Sequence, residues 1–197
     1  MTRLLRLLLR LPLLLLLPLP AAAHPHVWIE ATLGIETIEG KVTAFDVTWV
    51  FDDLYSELVR QDFDLDGNGR LSQEELDGLV GISAANLMEY SFFTHLKVGE
   101  EERRIIAVKE FYADVLEDGL VRYRFRVQLP QPIDPRTTPL AIGLYDESYY
   151  VDIVLPPNDI TLDLASGCRA TPRQDLVEPL YFGSFFPTYL LLECQGA

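Results

Sequence analysis

The residues with the most specific chemistry in this 197-residue chain are twelve in a row: Asp64-Leu65-Asp66-Gly67-Asn68-Gly69-Arg70-Leu71-Ser72-Gln73-Glu74-Glu75. Side-chain oxygens fall at the first, third and fifth positions as Asp64, Asp66 and Asn68. Arg70 at the seventh offers its backbone carbonyl, and Ser72 at the ninth ligates directly or through a water. Glu75 closes the loop with two oxygens, and Gly69 permits the sharp turn at the sixth position. This is the spacing of an EF-hand calcium loop, and an oxygen-only donor set selects calcium over transition metals. The competing reading is a solvated acidic turn that holds no ion.

A second group is nitrogen-based. Residues 1–23 carry Arg3, Arg6 and Arg10, a leucine stretch from Leu11 to Leu19, and Ala21-Ala22-Ala23, the pattern of a secretory signal peptide with an A-x-A cleavage site. The stretch is too short, and too interrupted by Pro12 and Pro18, for a membrane anchor. Cleavage would leave His24-Pro25-His26 at a free amine, so that the amine and two imidazoles could converge on zinc, nickel, cobalt or copper. Pro25 excludes the square-planar site that needs its N–H. His95, Asp52 or Asp146 could complete the shell; the alternative is a frayed terminus with two solvated imidazoles. Export also places Cys168 and Cys194 where a disulfide can form, against the alternative of two buried thiols.

These groups need elements to position them. Val27, Ile29, Ala31, Leu33 and Ile35 alternate with polar neighbours, and so do Thr43, Phe45, Val47, Trp49 and Phe51 across a Glu39-Gly40 turn, which predicts a hairpin. His26 then lies in line with Trp28 and Glu30 on the face away from the core. Ile105–Leu116 and Val121–Leu129 form a second hairpin around Glu117-Asp118-Gly119. Its register sets Asp114 against Arg122, Tyr112 against Arg124 and Glu110 against Arg126, so the three arginines read as cross-strand partners rather than an anion stripe. Further strands are expected at 139–145, 149–155, 160–164 and 189–194. Between Asp52 and Tyr90 the period turns helical: Leu54, Leu58 and Val59 mark an incoming helix, and Ser72 with Glu75 makes a capping box opening a helix through Leu76, Leu79 and Val80. The expectation is one mainly β domain over 24–197, an antiparallel sandwich-like fold with a helical EF-hand inserted at 52–90.

Composition narrows the function. Sixteen Lys plus Arg stand against thirty Asp plus Glu, a formal charge of −14. That argues against nucleic-acid partners. The segment 52–77 holds much of the acidity. No later stretch is long and apolar enough to anchor the mature chain in a membrane. A nucleophile with a base is missing, with neither GxSxG nor HExxH present, so an enzyme is not expected; a copper oxidoreductase using the terminal histidines is a remote third class.

Together these features resemble the domain of unknown function 1007 family. The residues that carry the likeness are His24-Pro25-His26-Val27-Trp28-Ile29, Trp49-Val50-Phe51-Asp52 with Tyr55, the acidic loop, Phe92-Phe93, Tyr145-Asp146 with Tyr149-Tyr150, Gly167-Cys168 and Cys194. The resemblance implies an exported, periplasmic protein found beside nickel/cobalt-type or zinc-linked transporters, though the two-lobed pattern of a solute receptor is missing. The expected function is a calcium-binding accessory protein assisting transition-metal handling by a membrane transporter. The alternative is a non-catalytic structural or interaction module whose calcium only shapes it.

Overall fold

The computed structural model describes residues 26–162 and 167–194. The predicted signal segment and His24 lie outside the described residues, so the structure bears only on His26 of the predicted terminal pair.

The predicted first hairpin is present. β1 (Val27–Ile38) and β2 (Lys41–Phe51) pair antiparallel, with Ile29 opposite Phe51 and Leu33 opposite Val47. Alternation puts Val27, Ile29, Ala31, Leu33 and Ile35 in the core and leaves His26, Trp28 and Glu30 outside. β2 leads into α1 (Asp53–Phe63) and α2 (Gln73–Glu89), and a short 3-10 turn at Ser91–Phe93 delivers the chain to β3 (Thr94–Val98). Then follow β4 (Glu101–Arg104), β5 (Lys109–Val115), β6 (Val121–Ile133), β7 (Leu140–Leu144), β8 (Val151–Val154), β9 (Ile160–Leu162), β10 (Cys168–Gln174) and β11 (Thr188–Cys194).

Two sheets result. The first runs β5-β6-β2-β1-β8, with β9 continuing along the same edge of β1; the second runs β10-β11-β7-β3-β4. Pairing is antiparallel except at β8 and β9, which run parallel to β1. A parallel neighbour requires a crossover rather than a tight turn, and the chain makes that crossover by leaving the second sheet after β7. Apolar residues from both sheets, among them Phe45, Trp49, Phe125, Leu96, Ile142 and Leu190, belong to one contiguous buried cluster. The mainly β, two-sheet reading therefore holds, and the helices lie between β2 of one sheet and β3 of the other.

Three expectations need correction. Glu110 does not face Arg126: the β5–β6 register shifts between Lys109 and Tyr112, Glu110 takes φ 53°, and Lys109 stands opposite Arg126. Arg126 turns instead to the other flank, pairing with Glu36 at 2.6 Å and Asp46 at 2.8 Å. Asp114 opposite Arg122 and Tyr112 opposite Arg124 are as expected. In α1 the buried positions are Ser56 and Val59, with Tyr55 and Phe63 also packed on the core, whereas Leu54 and Leu58 face solvent. Residues 105–108, read as the start of a strand, lie outside β5.

Candidate metal centre

The acidic loop is built from both of its ends. Asp52 caps α1, its Oδ1 accepting from Tyr55 N–H at 2.9 Å. Ser72 caps α2 in the predicted capping box, in which its side chain accepts from Glu75 N–H and the Glu75 carboxylate accepts from Ser72 N–H. Each cap satisfies N–H groups that a helix start leaves open. Between them Gly67 (φ 69°) and Gly69 (φ 80°) supply the left-handed turns that a side chain would strain.

Backbone N–H groups hold the carboxylates in place. Asp64 accepts from Asn68 N–H at 3.0 Å and Gly69 N–H at 2.8 Å, and Asp66 accepts from Asn68 N–H at 3.1 Å and from the Asn68 amide at 2.7 Å. The Asn68 carbonyl accepts from Arg70 N–H at 2.8 Å. Glu75, buried, accepts from Leu65 N–H through one oxygen and from Ser72 N–H and hydroxyl through the other. The Ser72 N–H, joined by its hydroxyl, holds the Glu75 carboxyl below the usual range, so it is ionised at neutral pH.

One oxygen each from Asp64, Asp66 and Glu75 lies within 4.8 Å of the others. Calcium takes oxygens at 2.3–2.6 Å, so ligands of one ion can stand as far apart as about 4.8 Å. Each carboxylate oxygen has two lone pairs, and an N–H bond on one leaves the other for a cation. None of the three acids forms an ion pair among the described residues. The donors present fit calcium. Of the six predicted loop residues, the three acids bring their carboxylates together, and Asn68, Arg70 and Ser72 are tied into the same loop by hydrogen bonds.

Of the predicted nitrogen site the structure describes His26 alone. His26 donates its N–H to the Tyr150 carbonyl at 2.9 Å, and its exposed ring stands 4.8 Å from the Tyr150 ring. Asp52 joins α1 to β1, its Oδ2 accepting from Trp28 N–H at 2.6 Å. Asp146 is buried and accepts from the N–H groups of Ser148, Tyr150 and Val151 and from the Ser148 hydroxyl. His95 stacks on Tyr145. Among the described residues no trio of ligands containing His26 converges as the acidic loop does.

Cys168 and Cys194 are joined in a disulfide, directly opposite one another in the β10–β11 ladder. No helix among the described residues is long and apolar enough to cross a membrane.

Fold and loop together define a class: a mainly antiparallel two-sheet protein with a helix pair, and a trio of converging carboxylates, inserted in the chain between β2 and β3. The chain belongs to the family described as Protein of unknown function (DUF1007), whose profile matches residues 9–179. Cys194, one of the landmarks, falls beyond that match. A curated relative, an uncharacterised 15.5 kDa protein in the trpE 3' region of Spirochaeta aurantia, is 33% identical over 138 residues, covering 66% of this chain and 94% of that protein. No solved structure matches the chain.

Proposed function

We propose that this is an exported calcium-binding accessory protein that takes Ca2+ in the loop from Asp64 to Glu75. The observation that carries the reading is the convergence of Asp64, Asp66 and Glu75 oxygens within 4.8 Å, with backbone N–H groups holding them and no ion pair to any of them among the described residues. The role assigned to calcium is architectural. α1 and α2 rest on the core through Val59 and Leu79, and an ion tying Asp64 at the end of α1 to Glu75 in the first turn of α2 locks the two helices together. Exported calcium modules work at about 10⁻⁴ to 10⁻³ M. Millimolar calcium is expected to raise the melting temperature of the wild type, and chelation to reverse the rise. Glu75→Gln removes the second charge-bearing oxygen and is expected to abolish the rise; a mutant that keeps it in full overturns the assignment.

The wider service proposed is to a membrane transporter of zinc, nickel, cobalt or copper, through His24 and His26. It is supported by the placement of His26 on the exposed side of β1 beside Tyr150, and by the disulfide, which belongs to an oxidising compartment such as the periplasm. The test compares metal affinity of protein starting at His24 with protein carrying one extra residue before it. The free amine is expected to tighten binding; equal affinities leave the alternative, a structural or interaction module.

A further inference from the structure

His95 lies in β3 with 8% of its surface exposed, stacked on Tyr145 with ring centroids 3.7 Å apart and planes 5° from parallel. Its Nε2 is 3.1 Å from the Tyr145 carbonyl oxygen. A carbonyl only accepts, so this contact puts the hydrogen on Nε2 and leaves a lone pair on Nδ1 of the neutral ring. Nδ1 faces two carboxylates, Glu102 Oε1 at 3.3 Å and Glu147 Oε1 at 4.0 Å. A lone pair against two anions is repulsive unless positive charge sits between them.

Distance separates the two ways of supplying that charge. A proton on Nδ1 makes a charge-assisted N–H···O bond, for which about 2.7–2.9 Å is usual; 3.3 and 4.0 Å are long. Two ligands each about 2.1 Å from one tetrahedral zinc ion stand about 3.4 Å apart. The Glu102 separation matches that spacing, and Glu147 at 4.0 Å reaches it by a side-chain turn.

The topology assembles the trio from distant sequence. In the β3–β4 ladder Lys97 stands opposite Glu102 and His95 opposite Arg104, so His95 and Glu102 are diagonal neighbours. Glu147 comes from the turn after β7. The three line a cavity of about 440 Å³ shared with Glu89 and Asp146. Nearby cations are engaged elsewhere: Arg103 with Glu101 at 2.6 Å, Arg104 with the Glu89 carbonyl at 2.7 Å, and Lys97 with Asp175 at 3.3 Å. Among the described residues Glu102 and Glu147 have no ion-pair partner but His95.

We propose that His95 Nδ1, Glu102 and Glu147 form a second metal site, for a divalent first-row transition ion such as zinc, separate from the calcium loop and from the amino terminus. The Tyr145 carbonyl is the outer partner that fixes the ring tautomer, as such partners do for metal-bound histidines. The three ligand atoms do not all lie within 4.8 Å of one another as those of the loop acids do, so binding requires the Glu102 and Glu147 side chains, 56% and 69% exposed, to rotate inward onto the ion. The imidazole sets the preference: oxygen donors alone suit calcium, whereas a ring nitrogen suits zinc, copper or nickel.

The test is zinc binding by chelator competition in millimolar calcium, on protein carrying His24→Ala and His26→Ala so that the terminus contributes nothing. One zinc ion is expected to bind, and adding Glu102→Gln with Glu147→Gln is expected to weaken it by about 100-fold while the calcium-dependent melting shift stays intact. His95→Gln should match that loss; because His95 packs on Tyr145, the exposed glutamates carry the conclusion should that variant fail to fold. Absence of zinc binding in the terminal double mutant, or an affinity unmoved by the glutamate changes, overturns the site. So does loss of zinc with Glu75→Gln, which would assign the ion to the acidic loop. A failed calcium response leaves the zinc result standing.

Discussion

Ser56 has no exposed surface, and its hydroxyl joins α1 to the first sheet by accepting from Val121 N–H at 2.9 Å while lying 3.4 Å from the Phe51 carbonyl. A serine in mid-helix reads as a neutral surface residue, and only the register of β6 reveals what it satisfies. Ser56→Ala leaves the Val121 N–H buried without a partner, which costs about 1–3 kcal/mol; urea denaturation is expected to show that loss. Gly143 is the other residue whose role depends on packing. A Cβ there would stand 3.0 Å from Tyr145 and 3.2 Å from Tyr189, so glycine is what lets Tyr145 lie where His95 stacks. The acidic loop was legible because its spacing is local and its ligands all lie within twelve residues. The trio of His95, Glu102 and Glu147 was not: only strand pairing brings its members together, and sequence reasoning assigned His95 to the terminal histidines instead.

At the scale of elements, what could be read follows from how each strand is buried. β1, β2 and β6 have paired neighbours on both sides and one face in the core, so they alternate cleanly and were found. β4, Glu101-Glu102-Arg103-Arg104, is an exposed edge with no apolar alternation, the usual means by which an edge avoids further pairing. β10 is likewise an edge and carries Pro172, which a central strand would not tolerate. β3 was hidden by its length of five residues and by the left-handed Ser91, Phe92 and Phe93 before it. The bulge at Glu110 moved one predicted pair because a ladder counted from its turn holds only until the first inserted residue. In α2, Gly78 and Gly81 lower helix propensity, and a Cβ at either would meet nothing within 4 Å. Gly81→Ala is expected to add about 1 kcal/mol, visible as a higher melting temperature without change in calcium response.

For the whole molecule, carboxylates held in their ionised form make the fold sensitive to acid. Asp114 is held below its ordinary value by its hydrogen bonds to Arg122, and Glu36 by Thr43 and then Arg126. Glu193 is lowered by Thr171 and then Arg169, and Asp175 by the N–H groups of Val177 and Glu178. A carboxylate whose folded pKa is depressed contributes stability above its unfolded pKa, here 3.8 for Asp and 4.5 for Glu, and loses it as pH falls through the lower folded value. Stability measured by circular dichroism is therefore expected to change little from these groups above pH about 5 and to decline below about 4, modestly for each exposed pair. Equal stability at pH 2 and pH 7 would contradict that assignment.

The parallel edge of β1 governs the order in which the molecule can be completed. One side of β1 is matched at once by β2 across a tight turn, but the other waits for residues 151–154 and 160–162. Closing so long a loop costs entropy before any of its hydrogen bonds form. Until then the first strand presents an open row of N–H and C=O groups, a template for pairing with the wrong chain. A protein whose earliest strand is sealed by one of its latest is assembled as a whole, and its period of greatest vulnerability is the interval between the two.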